Sequence, residues 1–230
     1  MPPSLGTGRT AYPAGVEPTT LRTVAAPVVA SLEEKRSVFE CWLRRVDDEA
    51  AARAVVEEAR TTHWDARHHC SAFVLGPAGA TVRSNDDGEP AGTAGMPMLE
   101  VLTGAGLTDV VAVVTRWFGG TLLGTGGLVR AYGGAVRAAV EQATILVRQQ
   151  LQVLQIDTTP DITGRLEHDL RAQGVQILDV RWGPDEVALQ VGVPPGRVEQ
   201  LRGEVAQVTS GVASVEEIGT RWVDLSPGDE

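Results

Sequence analysis

Apolar and β-branched residues along the first half of the chain predict strands that alternate with helices. The segments LRTVAAPVVA and SVFECWLRRV have the β-branched and aromatic content of strands. Apolar residues then recur at helical spacing over 52–59, directly behind an acidic run at 47–49, and this pattern predicts a helix with a favourable N-terminal charge. The segments HCSAFVLG and ATVRSN predict two more strands on either side of a turn at 76–79.

Three further elements complete the first half. A helix is predicted over about 96–103, with Thr93 as its N-cap and glycines at its end. The run VVAVVTRW is uninterruptedly apolar until its last residues, which is typical of a strand that is buried on both faces. Apolar residues from Leu128 onward recur at helical spacing and predict a helix that reaches about Gln142.

The second half repeats one pattern with fewer interruptions. Strands are predicted at LQVLQI, VQILDVR, VALQVGV and near VASVEEIGTRWV. One helix is predicted behind Asp161 as its cap, and a second begins at Pro195. The resulting order β-α-β-β-α-β is the ferredoxin-like arrangement. We therefore predict an α+β protein with a flexible leader over residues 1–20, an N-terminal domain over 21–146 and a C-terminal domain over 147–225.

Composition narrows the class of protein. The 230 residues are 43% hydrophobic and contain no apolar run long enough to span a membrane, so a cytoplasmic protein without a membrane partner is predicted. Two cysteines are too few for a disulfide framework. The net charge of −10 argues against a protein that binds polyanions by bulk charge, but residues 60–140 contain six arginines and six carboxylates and are therefore neutral.

Glycine is concentrated in one segment. Of the 26 glycines, twelve lie between Asp86 and Gly134: Gly88, Gly92, Gly95, Gly104, Gly106, Gly119, Gly120, Gly124, Gly126, Gly127, Gly133 and Gly134. Glycine is unfavourable in helices by about 1 kcal/mol relative to alanine, so such a density requires a geometric reason. Either the glycines permit tight turns and close packing, or they leave backbone N–H groups at two helix starts open to an anion or to another chain.

Arginines flank this segment. Arg116 ends the buried strand, where binding residues are common in α/β sheets. Arg130 and Arg137 are seven residues apart with Gly134 between them on the same side of the helix, which would give a flat face with positive rims. A solvated helix face explains the same spacing.

The loop Asp86–Pro90 offers carboxylates for a metal ion or for acid/base chemistry, but it lacks the regular ligand spacing of a calcium loop. The alternative is that the carboxylates hold the loop by accepting backbone N–H bonds. Nearby, His69 and Cys70 are adjacent and point to opposite faces of a strand, which disfavours a zinc site. The chain lacks a dinucleotide fingerprint, a Walker A motif and a G-x-S-x-G elbow. No catalytic residue, metal ligand or cofactor is predicted.

The residues SNDDGEPAGTAGMPML and VVTRWFGGTLLGTGGLVRAYGGAV closely resemble the signature of the IMPACT protein family, of the bacterial YigZ type. Its core is two aliphatic residues, any residue, Arg116, the aromatic pair Trp117 and Phe118, then Gly119, Gly120, two residues, Leu123 and Gly124. The resemblance covers about residues 30–145, including ARHHC at 66–70, and the second half resembles the C-terminal domain of the bacterial members.

This resemblance implies a fold for each half. The N-terminal domain would be an α/β sandwich like domain two of small-subunit ribosomal protein five and domain IV of elongation factor G, and the C-terminal domain a ferredoxin-like unit similar to another domain of that factor. Eukaryotic relatives regulate the amino-acid-starvation kinase pathway. Two positions depart from the family: Met96 replaces a basic residue, and Trp117-Phe118 replaces a pair that is often Tyr-Tyr.

Three functions are compatible with the sequence. The first, favoured by the resemblance, is a translation-associated regulator whose glycine-rich face binds RNA, the ribosome or a translation factor. The second is a metal- or phosphate-dependent enzyme that uses the Asp86–Glu89 loop, and the third is a protein-interaction adaptor anchored by the aromatic pair. The candidate binding residues are Arg67, His69, Asp86, Asp87, Gly88, Glu89, Thr93, Gly95, Arg116, Trp117, Phe118, Gly119, Gly120, Gly124, Gly126, Gly127 and Arg130.

Overall fold

The computed structural model describes residues 20–225, which divide into two compact units between Val147 and Arg148. The strands are β1 (Thr20–Val24), β2 (Val28–Glu34), β3 (Ser37–Arg45), β4 (His68–Leu75), β5 (Thr81–Asn85), β6 (Val110–Trp117), β7 (Ile145–Thr158), β8 (Gln176–Trp182), β9 (Val187–Val193) and β10 (Ser214–Asp224). The helices are α1 (Glu49–Thr62), α2 (Gly95–Gly104), α3 (Thr125–Gln142), α4 (Pro160–Ala172) and α5 (Val198–Thr209).

The first unit is built on a five-stranded antiparallel sheet in the order β2-β3-β6-β4-β5. Strand β6 lies in the middle and is buried along almost its whole length, as its apolar sequence predicted. Helix α1 packs on one face of the sheet, and α2 and α3 pack on the other. Strand β5 forms one edge.

Cross-strand register places the side chains of the first unit on these two faces. Arg116 of β6 pairs with Phe39 of β3 on one side and with His68 of β4 on the other, so all three point toward α2 and α3. His69 and Trp117, one position further along their strands, point toward α1. The Arg116–Trp117–Phe118 motif is therefore split between the two faces.

The second unit contains four strands in the order β10-β7-β9-β8, all antiparallel, with α4 and α5 packed against a core of aliphatic residues. This is the predicted β-α-β-β-α-β order. Helix α4 begins at Pro160 with Thr159 at the N-cap, and Asp161 lies in its first turn, so the prediction of Asp161 as the cap is wrong. Proline at the first helical position starts the helix at residue 160, two residues before the first helical residue that a cap at Asp161 would give.

The predicted two-domain α+β fold class is confirmed. Strand β7 begins before the division between the two units and continues after it. The domain boundary between residues 146 and 147 therefore stays a prediction. The predicted leader over 1–20 lies outside the described residues, except for Thr20 at the start of β1.

Candidate functional site

Asp86 closes the N-terminus of α2. Its Oδ2 atom accepts a hydrogen bond from the Gly92 N–H at 2.7 Å, and its Oδ1 atom accepts from the Ala94 and Gly95 N–H groups at 3.0 and 2.8 Å. These groups belong to the start of α2, so its positive end already holds a carboxylate of the same chain. Of the two explanations for the glycines, a helix start that is open to an external anion is therefore wrong for α2. Thr93 is not the cap, because its hydroxyl donates to the Pro90 carbonyl instead.

The pKa of Asp86 reflects this position. Burial acts to raise the pKa of the carboxyl, but the three backbone N–H donors outweigh it, and the pKa lies below its ordinary value. A carboxylate with a lowered pKa stabilises the fold above its ordinary pKa. That stability is lost as the pH falls through the lowered pKa of the folded state.

Replacement of Asp86 by alanine tests this linkage. We expect Asp86→Ala to lower the free energy of unfolding by about 1–2 kcal/mol at neutral pH, the usual effect of losing a helix cap. We also expect a weaker fall of stability than in the wild type between about pH 5 and pH 2, measured by urea unfolding at each pH. Glu100→Gln removes an exposed carboxylate on the same helix and is the matched control. A pH dependence of Asp86→Ala identical to that of the wild type would contradict the assignment.

Asp87 is also used within the fold. Its carboxylate accepts from the Arg60 guanidinium at 2.8 Å and from the His69 backbone N–H at 2.7 Å, and its carbonyl lies 2.8 Å from His68 Nδ1. Asp87 and Gly88 both have positive φ values, 42° and 85°, which turn the loop back toward β4. Burial, the largest effect, lowers the pKa of His69, and its Nε2 lies 3.2 Å from the His63 carbonyl.

Glu89 forms a buried pair with Arg116. Glu89 Oε1 accepts from Arg116 Nη1 at 2.6 Å and from the Tyr132 hydroxyl of α3 at 2.7 Å. The side chains of Glu89 and Arg116 are only 4% and 8% exposed. The guanidinium also lies between the rings of Phe39 and Phe118, at 5.4 and 5.7 Å from their centroids. Arg116 was predicted to be a binding cation, but in the structure its charge faces a carboxylate inside the unit.

Cys70 lies next to this pair. Its thiol donates to the Asp86 carbonyl at 3.0 Å, and burial raises the pKa of Cys70 to about 12. Burial likewise raises the pKa of Tyr132 and that of Cys41. These groups therefore keep their protons at neutral pH, and neither thiol has the character of a nucleophile.

The three carboxylates of the 86–89 loop thus point to three different sets of partners within the chain. Of the two interpretations of this loop, the structure therefore favours the one in which the carboxylates hold the loop in shape over the one in which they form a metal or acid/base site. Among residues 20–225, no group of three or more His, Cys, Asp or Glu side chains is arranged to hold a metal ion.

The loop between β6 and α3 packs tightly on the turn between β2 and β3. The Gly119 N–H donates to the Ser37 hydroxyl at 3.1 Å, and Arg36 Nη2 donates to the Thr121 hydroxyl at 3.1 Å. A Cβ atom on Gly119 would overlap the backbone of Arg36 and Ser37. Gly119 is therefore required for close packing, whereas Gly120 and Gly124 adopt positive φ values of 83° and 71°.

The first turn of α3 is open, in contrast to that of α2. No side chain within residues 20–225 caps it, and Gly124, Thr125 and Gly126 are exposed. Arg130 lies beside it, with its Nη1 atom 3.6 Å from the position of a Cβ on Gly126. Two apolar side chains precede it on the loop, Phe118 at 55% exposure and Leu122 at 83%. We call Arg36, Phe118, Leu122, the exposed backbone of 124–126 and Arg130 the loop surface.

The remaining candidates lie outside the loop surface. Trp117 packs edge-on against His63 at 5.0 Å, and its indole N–H donates to Asp65 at 3.0 Å on the α1 side of the sheet. Gly95 and Gly127 are both closely packed. A Cβ atom on Gly95 would lie 2.8 Å from the Asn85 nitrogen, and a Cβ atom on Gly127 would lie 2.8 Å from the Leu123 Cβ atom. Arg67 is exposed, and Met96 is exposed in the first turn of α2.

The face predicted between Arg130 and Arg137 is not flat and open. Leu32 of β2 lies over Gly134, 3.2 Å from the position of a Cβ there, so a strand of the same chain covers the middle of that face. Both arginines remain exposed.

Sequence reasoning missed three residues of the site. The sequence pattern places Tyr132 in the apolar stripe of α3, where its side chain is buried. A buried tyrosine hydroxyl needs a hydrogen-bond partner, and this requirement could have identified Tyr132 as part of the polar site. Leu122, an apolar residue in a glycine-rich loop, and Arg36, in a turn 85 residues away from its partner Thr121, carried no local signal.

The comparisons with known proteins cover both units. Residues 35–140 match the family described as the Impact N-terminal domain, and residues 159–212 match a domain of unknown function, DUF1949. The chain is 40% identical over 189 residues to "IMPACT family member YigZ" of Escherichia coli (strain K12), which covers 81% of this chain and 92% of the relative. It is 34% identical over 183 residues to "IMPACT family member YvyE" of Bacillus subtilis (strain 168), with coverage of 80% and 84%.

One solved structure, described as the crystal structure of a hypothetical protein, is 38% identical to this chain with a TM-score of 0.61, and the match covers 88% of this chain and 98% of that one. None of the helices described within residues 20–225 is both long and apolar enough to cross a membrane. The first family match contains every residue of the loop surface. This chain therefore belongs to the IMPACT family.

Proposed function

We propose that this chain is a translation-associated regulator that binds ribosomal RNA through the loop surface. The observation that carries the proposal is the uncapped first turn of α3, whose exposed backbone lies beside Arg130. A helix N-terminus with free N–H groups and a neighbouring guanidinium is suited to a phosphate group. Phe118 adds an exposed aromatic ring on which an unpaired base could stack.

The charge distribution supports a local contact rather than a general affinity for polyanions. The chain has a net charge of −10, and Arg116 is neutralised by Glu89, so Arg36 and Arg130 are the cations of the loop surface. Binding that uses two phosphate contacts has a logarithmic salt slope of about −1.4 to −1.8. Such a protein would act in the cytoplasm, where ribosomes work. The likeness of the family's domains to domains of the translation machinery points in the same direction.

Co-sedimentation of the full chain with purified ribosomes tests the proposal. We expect salt-sensitive binding in the wild type and a loss of at least about tenfold in affinity in the double variant Phe118→Ala/Arg130→Ala, since each contact is worth about 1 kcal/mol or more. Arg137→Ala, an exposed arginine on the same helix outside the loop surface, is the control and should bind like the wild type. Arg116→Ala is unsuitable, because it would leave Glu89 buried without its cation.

A protein partner is the second candidate, and the exposure of Phe118 and Leu122 favours it. Ribosome binding that survives nuclease treatment and is lost in Leu122→Ser would select a protein of the translation machinery over RNA. If the wild type shows no salt-sensitive binding to ribosomes or RNA, the RNA proposal is overturned.

A further inference from the structure

A groove with a volume of about 520 Å³ lies between α1 and the edge strand β5. It exists because α1 packs over β4 and β6, while β5 extends beyond the helix. The groove belongs to the α1 face of the sheet, whereas α3 and its first turn belong to the opposite face. Its size falls within the range of about 300–1,000 Å³ that is usual for small-molecule sites.

The floor of the groove is formed by register partners of β4 and β5. Phe73 pairs with Arg83, and Ser71 pairs with Asn85, so all four side chains point toward α1. Phe73 and Val56 of α1 make the apolar part of the lining. At the polar end, Asn85 Oδ1 accepts from the Asp87 N–H at 2.7 Å, which leaves the amide NH₂ as a donor beside the Ser71 hydroxyl.

Three arginines face this groove, and Glu57 is the one carboxylate among its lining residues, while Glu49 and Asp87 pair with these arginines from outside the lining. Arg53 and Arg83 share one partner: Glu49 lies 3.0 Å from Arg53 Nη2 and 4.0 Å from Arg83 Nη2. Arg83 Nη1 also donates to the Val82 carbonyl at 2.9 Å. Each guanidinium has five N–H donors, so these contacts still leave several donors on each arginine for a ligand. The two side chains are 74% and 64% exposed and are free to turn toward a ligand.

We propose that this groove binds a nucleoside monophosphate. The phosphate lies between Arg53 and Arg83, which suit its oxygens because guanidinium groups form bidentate hydrogen bonds with phosphate. The base covers Phe73 and Val56, with its polar edge toward Asn85 and Ser71. Arg60 is held near Asn85 by Glu57 and Asp87, at 2.8 Å each, so its charge is already neutralised and Arg53 and Arg83 are the cations left for the phosphate.

Isothermal titration of the full chain with AMP, GMP, adenosine and inorganic phosphate separates the two parts of the site. We expect a nucleotide to bind at least about tenfold more tightly than either phosphate or the nucleoside, since the apolar and charged parts act together. Arg53→Ala/Arg83→Ala should weaken nucleotide binding by about tenfold or more, while Arg137→Ala should leave it unchanged.

The two arginines are exposed, so the double variant should melt at the temperature of the wild type. Arg83→Gln, which keeps the length of the side chain, is the second variant and should give an intermediate loss. Nucleotide binding that the double variant retains would overturn the proposal. Inorganic phosphate that binds as tightly as AMP would also overturn it. So would a short RNA oligonucleotide that binds the wild type more tightly than AMP and does not bind the double variant.

Discussion

Glu89→Ala is expected to lower the free energy of unfolding of the first unit by about 3–5 kcal/mol, because it leaves the charge of Arg116 buried without a partner. The side chain of Arg116 is 8% exposed, and its Nε atom already lacks a hydrogen-bond partner among the described residues, so the loss of Glu89 cannot be offset locally. Urea unfolding, with amide hydrogen exchange of β6 to isolate the first unit, measures the effect.

Two further variants separate the charge from the packing. In Glu89→Leu/Arg116→Met both charges are absent, and most of the stability should return. Tyr132→Phe removes only the hydroxyl that donates to Glu89, and we expect a loss of about 1.5–3 kcal/mol, the range for hydrogen bonds to charged groups. A Glu89→Ala variant that loses less than about 1 kcal/mol would show that the pair contributes little to the fold.

The buried pair also joins the glycine-rich motif to the rest of the first unit. Glu89 joins the 86–89 loop to β6 through Arg116 and to α3 through Tyr132, and Asp86 joins the same loop to α2. The polar residues of the family signature are thus largely used to hold four elements in place. One residue of the loop surface reaches this network, because the Phe118 ring lies 5.7 Å from the guanidinium carbon of Arg116.

The elements of the fold could be predicted because each has a local cause. Strand β6 is a continuous apolar run, and α1 begins where Asp48 accepts from the Ala51 N–H at 2.7 Å, within the predicted acidic run. The cap of α2 could not be found in the same way. Thr93 has the right position in the sequence, but the carboxylate of Asp86 reaches the same N–H groups from the preceding loop.

The candidate site was less accessible to sequence reasoning, because its chemistry depends on distant pairs. Arg116 and Glu89 are 27 residues apart, and both read as available charges until β6 and the loop are brought together. Glycines present the same difficulty, because the sequence around Gly119 and Gly126 does not show which of them is closely packed and which is exposed. One packs against the backbone of a turn more than 80 residues away, and the other is exposed.

Gly119→Ala is expected to destabilise the first unit by about 1–3 kcal/mol, the usual range for an overpacked site. The added methyl group would overlap the carbonyl of Arg36 and the nitrogen of Ser37, which are backbone atoms. Lys35 and Arg36 have positive φ values of 48° and 67°, so the turn has little freedom to yield. The loop after β6 must then move away, and the hydrogen bond from Gly119 to Ser37 is lost.

Urea unfolding measures the loss, and amide hydrogen exchange over residues 119–124 shows whether the loop is displaced. Gly126→Ala is the matched control, since its methyl group would meet only the flexible end of Arg130 at 3.6 Å. We expect no loss of stability there, and a gain of up to about 1 kcal/mol because alanine is favoured over glycine in a helix. Equal effects of the two substitutions would mean that the β6–α3 loop is not held by the turn. In that case close packing would not distinguish Gly119 from Gly126, and the turn between β2 and β3 would not hold the loop surface in place. If only Gly119→Ala destabilises the fold, close packing accounts for Gly119, and binding remains the explanation to test for the exposed glycine at 126.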